Sequence, residues 1–193
     1  VVVYTDKIVI YEDRKLGRFR SETLDNSSRG EQSVRMEVVD VNHDGFLDIT
    51  ITNKINTLFL ENLSGRLQPG ITLPSIGSWA DWQNRGILDA VSNSSVISNL
   101  GHFQFELIPT VGLPSSTAFT AVSDLNLDGR IDLIVVENSG KIHYLRNKTD
   151  TSNAWVNLAF HGIKNNKLTE GARIEVKAGG FYRKDVYAGH PIT

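Results

Sequence analysis

Short apolar runs recur along this chain, separated by polar turns that contain glycine, asparagine or aspartate. The runs 49–52 (Ile-Thr-Ile-Thr) and 133–136 (Leu-Ile-Val-Val) are β-branched and typical of strands. Further apolar runs, which also predict short strands, lie at 34–39, 57–60, 118–122 and 141–145. The pattern therefore predicts an all-β protein built from short strands.

Three loops between these strands share one arrangement of acidic residues. Residues 40–48 and 124–132 both follow the pattern D-x-N-x-D-G-x-x-D, and residues 81–89 form an altered third copy. The first aspartates of the three loops are 41 and 43 residues apart. This nearly constant interval indicates a repeat protein.

The two complete loops fit the coordination of calcium. Ca²⁺ takes about six to eight oxygen ligands, which a short loop supplies when oxygen-bearing side chains alternate with spacers. The glycine at the sixth position permits the positive φ of a sharp turn. The sequence therefore predicts two calcium sites. The first has the ligands Asp40, Asn42, Asp44, Phe46 (backbone carbonyl) and Asp48, and the second has Asp124, Asn126, Asp128, Arg130 (backbone carbonyl) and Asp132.

Two other interpretations of these loops were open. An EF-hand needs a glutamate at its twelfth position and flanking helices. The twelfth positions here are Ile51 and Val135, within predicted strands, which excludes it. The second alternative is a plain turn, since Asp, Asn and Gly populate turns for local reasons. Two complete copies, and the repulsion between clustered carboxylates that lack a cation, favour calcium.

The middle loop departs from the pattern. Gln83 replaces the asparagine, and Arg85 stands at the fifth position, where the complete loops have aspartate. A guanidinium cannot bind Ca²⁺, but it can neutralise Asp81 and Asp89 by bidentate pairing. Our hypothesis is that Arg85 takes the place of the cation and that this loop binds no metal. The alternative is that Arg85 points to solvent.

The order of strands and loops within each interval is typical of a β-propeller blade, with about four strands in roughly 40 residues. We expect about three such blades over residues 1–147, with a partial blade at 1–30 and blades near 31–75, 76–115 and 116–147. Propellers typically contain about four to eight blades. We therefore expect this sequence to be part of a larger protein or assembly.

The loop motif, inside an all-β unit of this length, resembles the FG-GAP/VCBS repeats of integrin α-subunit propellers and of many secreted bacterial proteins. The resemblance covers residues 1 to about 147. It implies that each loop joins the first two strands of a blade and holds calcium. The resemblance implies this calcium-binding role for both complete loops, whereas the middle loop matches the motif only in part.

The C-terminal region has a different pattern. Residues 148–154 are typical of a linker, and alternation at 155–162, 171–176 and 179–186 predicts three half-buried strands of a small β domain over 155–193. Its expected core contains Trp155, Ile174, Val176 and Val186. The motif W-V-x-L…G-A-R-I-x-V…G-G…R-x-D-V resembles the ASPIC/UnbV domain of cartilage acidic protein relatives and bacterial extracytoplasmic proteins. Residues 188–193 depart from that family, so the resemblance implies a partial domain.

Composition excludes several functions. The 193 residues carry 20 Lys and Arg against 22 Asp and Glu, and no basic patch stands out, which argues against a nucleic-acid partner. No apolar stretch approaches the ~20 residues that a membrane span requires. Cysteine is absent, so disulfides and thiolate chemistry are excluded.

The expected function is that of a calcium-stabilised, non-catalytic module with a binding, adhesion or scaffold role and a protein or glycan partner. Extracellular calcium modules have Kd values of about 10⁻⁴–10⁻³ M, which favours an extracytoplasmic location: secreted, periplasmic or at the cell surface. One alternative is a subunit of a larger enzyme or polysaccharide-active complex. Another is a scaffold chain within a multi-chain assembly. The sequence contains no G-x-S-x-G, H-E-x-x-H or phosphate-binding loop.

Few other residues point to chemistry. Glu12 with Asp13, or Glu37 with Asp40, are possible acid and base pairs, although ordinary surface pairs are the favoured interpretation. Trp79 and Trp82 flank Asp81. Core packing is favoured for both over a stacking platform for a sugar or peptide.

Overall fold

The computed structural model of the protein describes residues 1–25, 35–92, 95–109, 112–114, 116–150, 152–156, 158–164, 167–169 and 171–187. Within these residues the fold is all-β, with sixteen strands and no helix. The paired strands are antiparallel and form five sheets. The all-β prediction is therefore confirmed. None of the described residues forms a helix long and apolar enough to cross a membrane.

The first of two compact units comprises Val1–Val39 and Asp48–Ser75. It contains a three-stranded sheet and a four-stranded sheet, each in chain order. Ile8, Ile49, Ile51, Leu58 and Leu60 form a buried core cluster, and within β5 and β6 its members are alternate residues, which lie on one face of a sheet. The strands are β1 (Val2–Val3), β2 (Lys7–Asp13) and β3 (Phe19–Asp25), then β4 (Arg35–Val39), β5 (Asp48–Thr52), β6 (Asn56–Leu63) and β7 (Arg66–Pro74).

The second unit comprises Asp40–Leu47 and Ile76–Thr193. It contains a four-stranded sheet, a three-stranded sheet and a two-stranded hairpin. Val91 of the first of these sheets packs with Leu133 and Val135 of the second in a buried cluster. The strands are β8 (Ile76–Ala80), β9 (Asp89–Ser92), β10 (Ser95–Gly101) and β11 (Gln104–Pro109), then β12 (Thr117–Ser123), β13 (Asp132–Glu137) and β14 (Ile142–Leu145), then β15 (Arg173–Ala178) and β16 (Phe181–Val186).

The first strands of these two sheets, β8 and β12, approach each other closely. The Ser78 hydroxyl donates to the Thr120 carbonyl at 3.1 Å, and the two side-chain hydroxyl oxygens lie 2.7 Å apart. Gly77 faces the Thr120 side chain, and a Cβ at residue 77 would overlap its Oγ1. The approach therefore depends on the absence of a side chain at position 77.

The C-terminal prediction is correct for two strands and wrong for one. The hairpin β15–β16 forms where two alternating runs predicted it. Among the described residues of 155–162, however, no strand forms, and only Leu158 makes an isolated bridge. The reason is that this segment packs through single aromatic side chains: Phe160 lies edge-on to the buried Tyr187, with ring centroids 5.2 Å apart.

The predicted C-terminal core is also only partly correct. Ile174 and Val176 are half-buried, whereas Trp155 is 48 % exposed and lies elsewhere, as described below. The side chain of Val186 lies outside the described part of the structure, as do Val34 of the predicted strand 34–39 and residues 188–193.

Candidate functional site: three acidic loops

Each acidic loop joins the first and second strands of its sheet. The loops lie between β4 and β5, between β8 and β9, and between β12 and β13, and the last aspartate of each is the first residue of the second strand. This placement follows from the sequence, because turn-forming residues stand between two apolar runs. The three loops therefore occupy equivalent positions in their sheets.

The three loops also share one backbone conformation. Their sixth residues are glycines with φ between 77° and 86°. Their fourth residues also have positive φ, at 55°, 50° and 58°, although none is glycine. These left-handed residues are His43, Asn84 and Leu127 at the fourth position, and Gly45, Gly86 and Gly129 at the sixth. The altered loop thus keeps the backbone of the complete loops.

The first aspartate of each loop holds this conformation in place. Its two carboxylate oxygens accept the backbone N–H groups of the fifth and sixth residues. Asp40 accepts from Asp44 at 3.1 Å and Gly45 at 2.9 Å, Asp81 from Arg85 at 2.8 Å and Gly86 at 2.6 Å, and Asp124 from Asp128 at 3.1 Å and Gly129 at 2.8 Å. Each first aspartate is therefore a structural residue of its loop, whatever else it binds.

In both complete loops the third and fifth side chains are bonded to each other. The Asn42 amide donates to Asp44 at 3.2 Å, and the Asn126 amide donates to Asp128 at 3.1 Å. The other oxygen of each fifth-position aspartate accepts the backbone N–H of the seventh residue: Phe46 in the first loop and Arg130 in the third. The calcium prediction uses the carbonyl oxygens of these seventh residues, whereas the bonds to the fifth residues use their N–H groups.

The last aspartate of each loop is almost completely buried, with exposures of 0 % for Asp48, 1 % for Asp89 and 0 % for Asp132. Each accepts a backbone N–H from an asparagine at or just after the end of the third strand. The donors are Asn62 to Asp48 at 2.8 Å within the first unit, and Asn99 to Asp89 and Asn147 to Asp132, both at 2.9 Å, within the second. A buried carboxylate needs such donors, because burial without them is costly.

Two of these asparagines connect successive loops. The Asn99 amide donates to the carbonyl of Val41 at 3.1 Å, and the Asn147 amide donates to the carbonyl of Trp82 at 2.9 Å. Val41 and Trp82 are both second residues of the preceding loop. The sequence shows an asparagine after the third strand at Asn62 and Asn147, but the role of Asn99 was missed. Counting residues from the last aspartate of each loop does not identify Asn99 as the equivalent of Asn62 and Asn147, because the intervening hairpins differ in length.

In the altered loop, Arg85 points inward. Its guanidinium donates to Asp89 at 2.7 Å, to the Ser98 hydroxyl at 3.2 Å and to the Asn99 carbonyl at 3.4 Å. Of the two pairings that the sequence predicted, only the one with Asp89 forms, since the Asp81 carboxylate binds backbone N–H groups. The backbone carbonyl of Gln83 accepts a hydrogen bond from the Asn153 side-chain amide at 3.4 Å. The hypothesis that this loop binds no metal stays a prediction.

In the third loop, Asp128 is paired with two arginines. The Arg146 guanidinium donates to Asp128 at 3.0 Å, and that of Arg130 lies 3.6 Å from the same oxygen. The hydrogen bond from Arg146 lowers the pKa of Asp128 below its usual value, with smaller contributions from the backbone of Arg130 and from Asn126. The Tyr144 hydroxyl donates to Asp132 at 2.8 Å, which raises the pKa of Tyr144.

The donor types of both complete loops fit a calcium ion, because all predicted ligands are hard oxygens. A carboxylate has about four lone-pair sites, so the two N–H groups that Asp44 accepts do not exhaust it, whereas Asp128 accepts three, from Asn126, Arg130 and Arg146. Among the described residues, however, no three acidic or histidine side chains are grouped as a ready metal site. Binding at the third loop would require Asp128 to exchange its bond with Arg146 for the ion.

The C-terminal region covers parts of two loops within the second unit. The Trp155 ring lies on Gly129, where a Cβ would overlap the indole, and the Lys184 stem lies on Gly45. The Arg173 guanidinium lies 5.9 Å from the centroid of the Phe46 ring. Glycine at the sixth position therefore has a second use beside its positive φ, because it admits a covering side chain.

Replacing Gly129 with alanine is expected to destabilise the protein more than Gly140→Ala does. Both glycines have positive φ, at 81° and 84°, so both substitutions add the strain of a left-handed residue, about 1–2 kcal/mol. Only Gly129 faces Trp155, whereas nothing lies within 4 Å of a Cβ at Gly140. We expect an additional loss of about 1–3 kcal/mol from overpacking at Gly129. Urea unfolding of both variants measures this additional loss. Equal losses of stability in the two variants would contradict the packing of Trp155 on Gly129.

Other candidates from the sequence have ordinary partners. Glu12 pairs with Arg14 at 2.8 Å and Glu37 with Arg35 at 3.1 Å. Burial raises the pKa of Glu37. Trp82 packs against the cluster of Val91, Leu133 and Val135, and Trp79 lies edge-on to Phe105 at 6.5 Å, as core packing predicts.

Comparisons with known proteins add no family assignment. A scan against protein-family models finds no match for this chain, and a search of curated proteins likewise finds none. The functional argument therefore rests on the loops themselves.

Proposed function

We propose that this chain is a calcium-binding, non-catalytic module built from β-propeller blades of the FG-GAP/VCBS type. The observation that carries the proposal is the equivalence of the three loops, which share a position between the first two strands of a sheet, a backbone conformation and a set of hydrogen bonds. Two of them retain aspartate or asparagine at positions one, three, five and nine. Plain turns have no need of four such side chains in register.

The calcium ions would have a structural role. Each would neutralise the carboxylates of one loop and hold the connection between two strands. In the first loop the ligands would come from Asp40, Asn42, Asp44, Phe46 and Asp48, and in the third from Asp124, Asn126, Asp128, Arg130 and Asp132. Extracellular calcium modules have Kd values of about 10⁻⁴–10⁻³ M, so millimolar calcium outside the cell would fill these sites. We accordingly propose an extracytoplasmic location and a protein or glycan partner, with the sheets acting as the scaffold for binding.

Thermal unfolding in EDTA and in calcium tests this function. If Kd is about 10⁻⁴ M, calcium at about 1 mM stabilises the protein by about 1.4 kcal/mol per site. Two sites should raise the unfolding midpoint by about 5–10 °C in a chain of this size. Asp44→Ala and Asp128→Ala should each reduce the shift, and magnesium is the control ion. A folded sample whose midpoint does not respond to calcium would show that the loops are plain turns.

A further inference from the structure

A cation from outside the third loop is bound to one of the loop's carboxylates. Arg146, just after β14, donates to the carboxylate of Asp128, the fifth-position residue of the loop, at 3.0 Å. The oxygen that it binds, Oδ2, also accepts from the Asn126 amide and lies near the Arg130 guanidinium. In the proposed calcium site this carboxylate is a ligand. Arg146 and a calcium ion would therefore compete for one group.

We propose that Arg146 acts as an internal competitor of calcium at the third loop, so that the two complete loops bind the ion with different affinities. This inference rests on the proposed function, since it concerns the regulation of that site. Arg146 must leave Asp128 before the carboxylate can bind a metal. The first loop is then the tighter site, and the third loop fills at a higher calcium concentration.

The three loops differ in how firmly an arginine is held at their carboxylates, and this difference supports the inference. In the altered loop, the arginine belongs to the loop itself and donates to Asp89, Ser98 and Asn99 together, so it is firmly held. Among the described residues, Arg146 makes one side-chain hydrogen bond, and it is 53 % exposed, so it can be displaced. Asp44, the fifth residue of the first loop, has no ion pair among the described residues, although the Lys184 stem lies on the neighbouring Gly45.

Arg146 also has space and a second partner available. An open cavity of ≈370 Å³ lies beside it, lined by Arg130, Arg146, Asn147, Lys148, Thr149 and Asp150. Asp150 is the acidic residue of this lining. When a divalent ion takes Asp128, the Arg146 side chain can turn into the cavity towards Asp150 and water. Exposed ion pairs contribute little to stability, so calcium binding can displace this one.

A calcium titration of the full chain by NMR reports on each loop separately. The Gly45 amide donates to Asp40 and the Gly129 amide to Asp124, so the two signals report on the first and third loops. We expect the Gly45 signal to titrate at a calcium concentration about 3–10 times lower than the Gly129 signal. The Arg146 Nε–H signal should shift together with that of Gly129.

Arg146→Gln should lower the calcium Kd of the third loop by about 3–10-fold and leave that of the first loop unchanged. Arg146→Lys should lie between the two, because lysine keeps the charge but lacks the planar fork. Arg14→Gln is the matched control: it also removes one exposed arginine of an ion pair, at Glu12, in the first unit.

Each outcome of the titration has a separate meaning. Two sites of equal affinity in the natural chain, with no effect of Arg146→Gln, would overturn the role of Arg146 and leave the calcium function intact. No response of either glycine signal in the folded natural chain and in Arg146→Gln would overturn the calcium function and this inference together. A tighter third site in Arg146→Gln, with Arg14→Gln unchanged, supports both.

Discussion

Arg85→Ala is expected to lower the free energy of unfolding by about 2–4 kcal/mol at neutral pH, because it leaves the carboxylate of Asp89 buried without its cation. Asp89 is 1 % exposed, and Arg85 donates to it at 2.7 Å. The Asn99 backbone N–H, at 2.9 Å, would remain as a donor to the carboxylate. Urea unfolding monitored by tryptophan fluorescence measures the loss.

The loss should depend on pH in a direction that follows from Asp89. Burial, as the largest effect, raises the pKa of Asp89 above its usual 3.8, although the Asn99 backbone and Arg85 lower it. The folded state therefore binds the proton more tightly than the unfolded state, and stability falls as pH rises from 3.8 through the folded pKa. Removing Arg85 raises that pKa further. Arg85→Ala should thus cost more at about pH 7 than at about pH 4, where Asp89 is more protonated.

A second substitution separates charge from packing. Adding Asp89→Asn to Arg85→Ala should recover part of the lost stability at neutral pH, because an amide has no charge to neutralise. If the loss in Arg85→Ala is the same at both pH values and Asp89→Asn restores nothing, Arg85 contributes through the packing of its side chain. The hypothesis that Arg85 takes the place of the cation in the altered loop would then be wrong.

Asn99→Ala is expected to destabilise the protein by a similar amount, about 2–4 kcal/mol, because three buried or partly buried bonds lose a partner. The Asn99 amide donates to Val41 and Leu88 at 3.1 and 3.0 Å, and its oxygen accepts from the Gly101 N–H at 2.9 Å. The side chain is 1 % exposed, so water cannot readily replace it. Chemical unfolding gives the difference.

Two further variants test whether the amide donors of Asn99 cause this effect. Asn99→Asp keeps the volume but replaces the donors with a negative charge facing two carbonyls, so it should be at least as destabilising as alanine. Asn138→Ala removes an exposed amide that donates to Ser116 at 2.8 Å, and should change stability by less than about 0.5 kcal/mol. A mild effect of Asn99→Asp would indicate that the cavity, rather than the hydrogen bonds, explains the loss in alanine.

The strands and the loops between them could be predicted from the sequence because they depend on neighbouring residues. The β-branched run 133–136 lies within β13, and the acidic residues before it form the turn between β12 and β13. The glycine at the sixth position has the positive φ that the motif predicted. Alternation alone was insufficient at 155–162, because a strand also needs a neighbour to pair with, and this segment has packing partners instead.

The sequence by itself thus determined the all-β class, the order of the strands and the positions of the three loops, since strand periodicity and turn chemistry act over a few residues. Tertiary structure alone decided which side chains meet. Asn99 reaches the carbonyl of Val41, 58 residues away, and Arg146 binds Asp128 across 18 residues. Such contacts depend on how the sheets pack and how long the intervening hairpins are. For that reason the loops and the pairing of Arg85 with Asp89 could be predicted from the sequence, whereas the pairing of Arg146 with Asp128 could not.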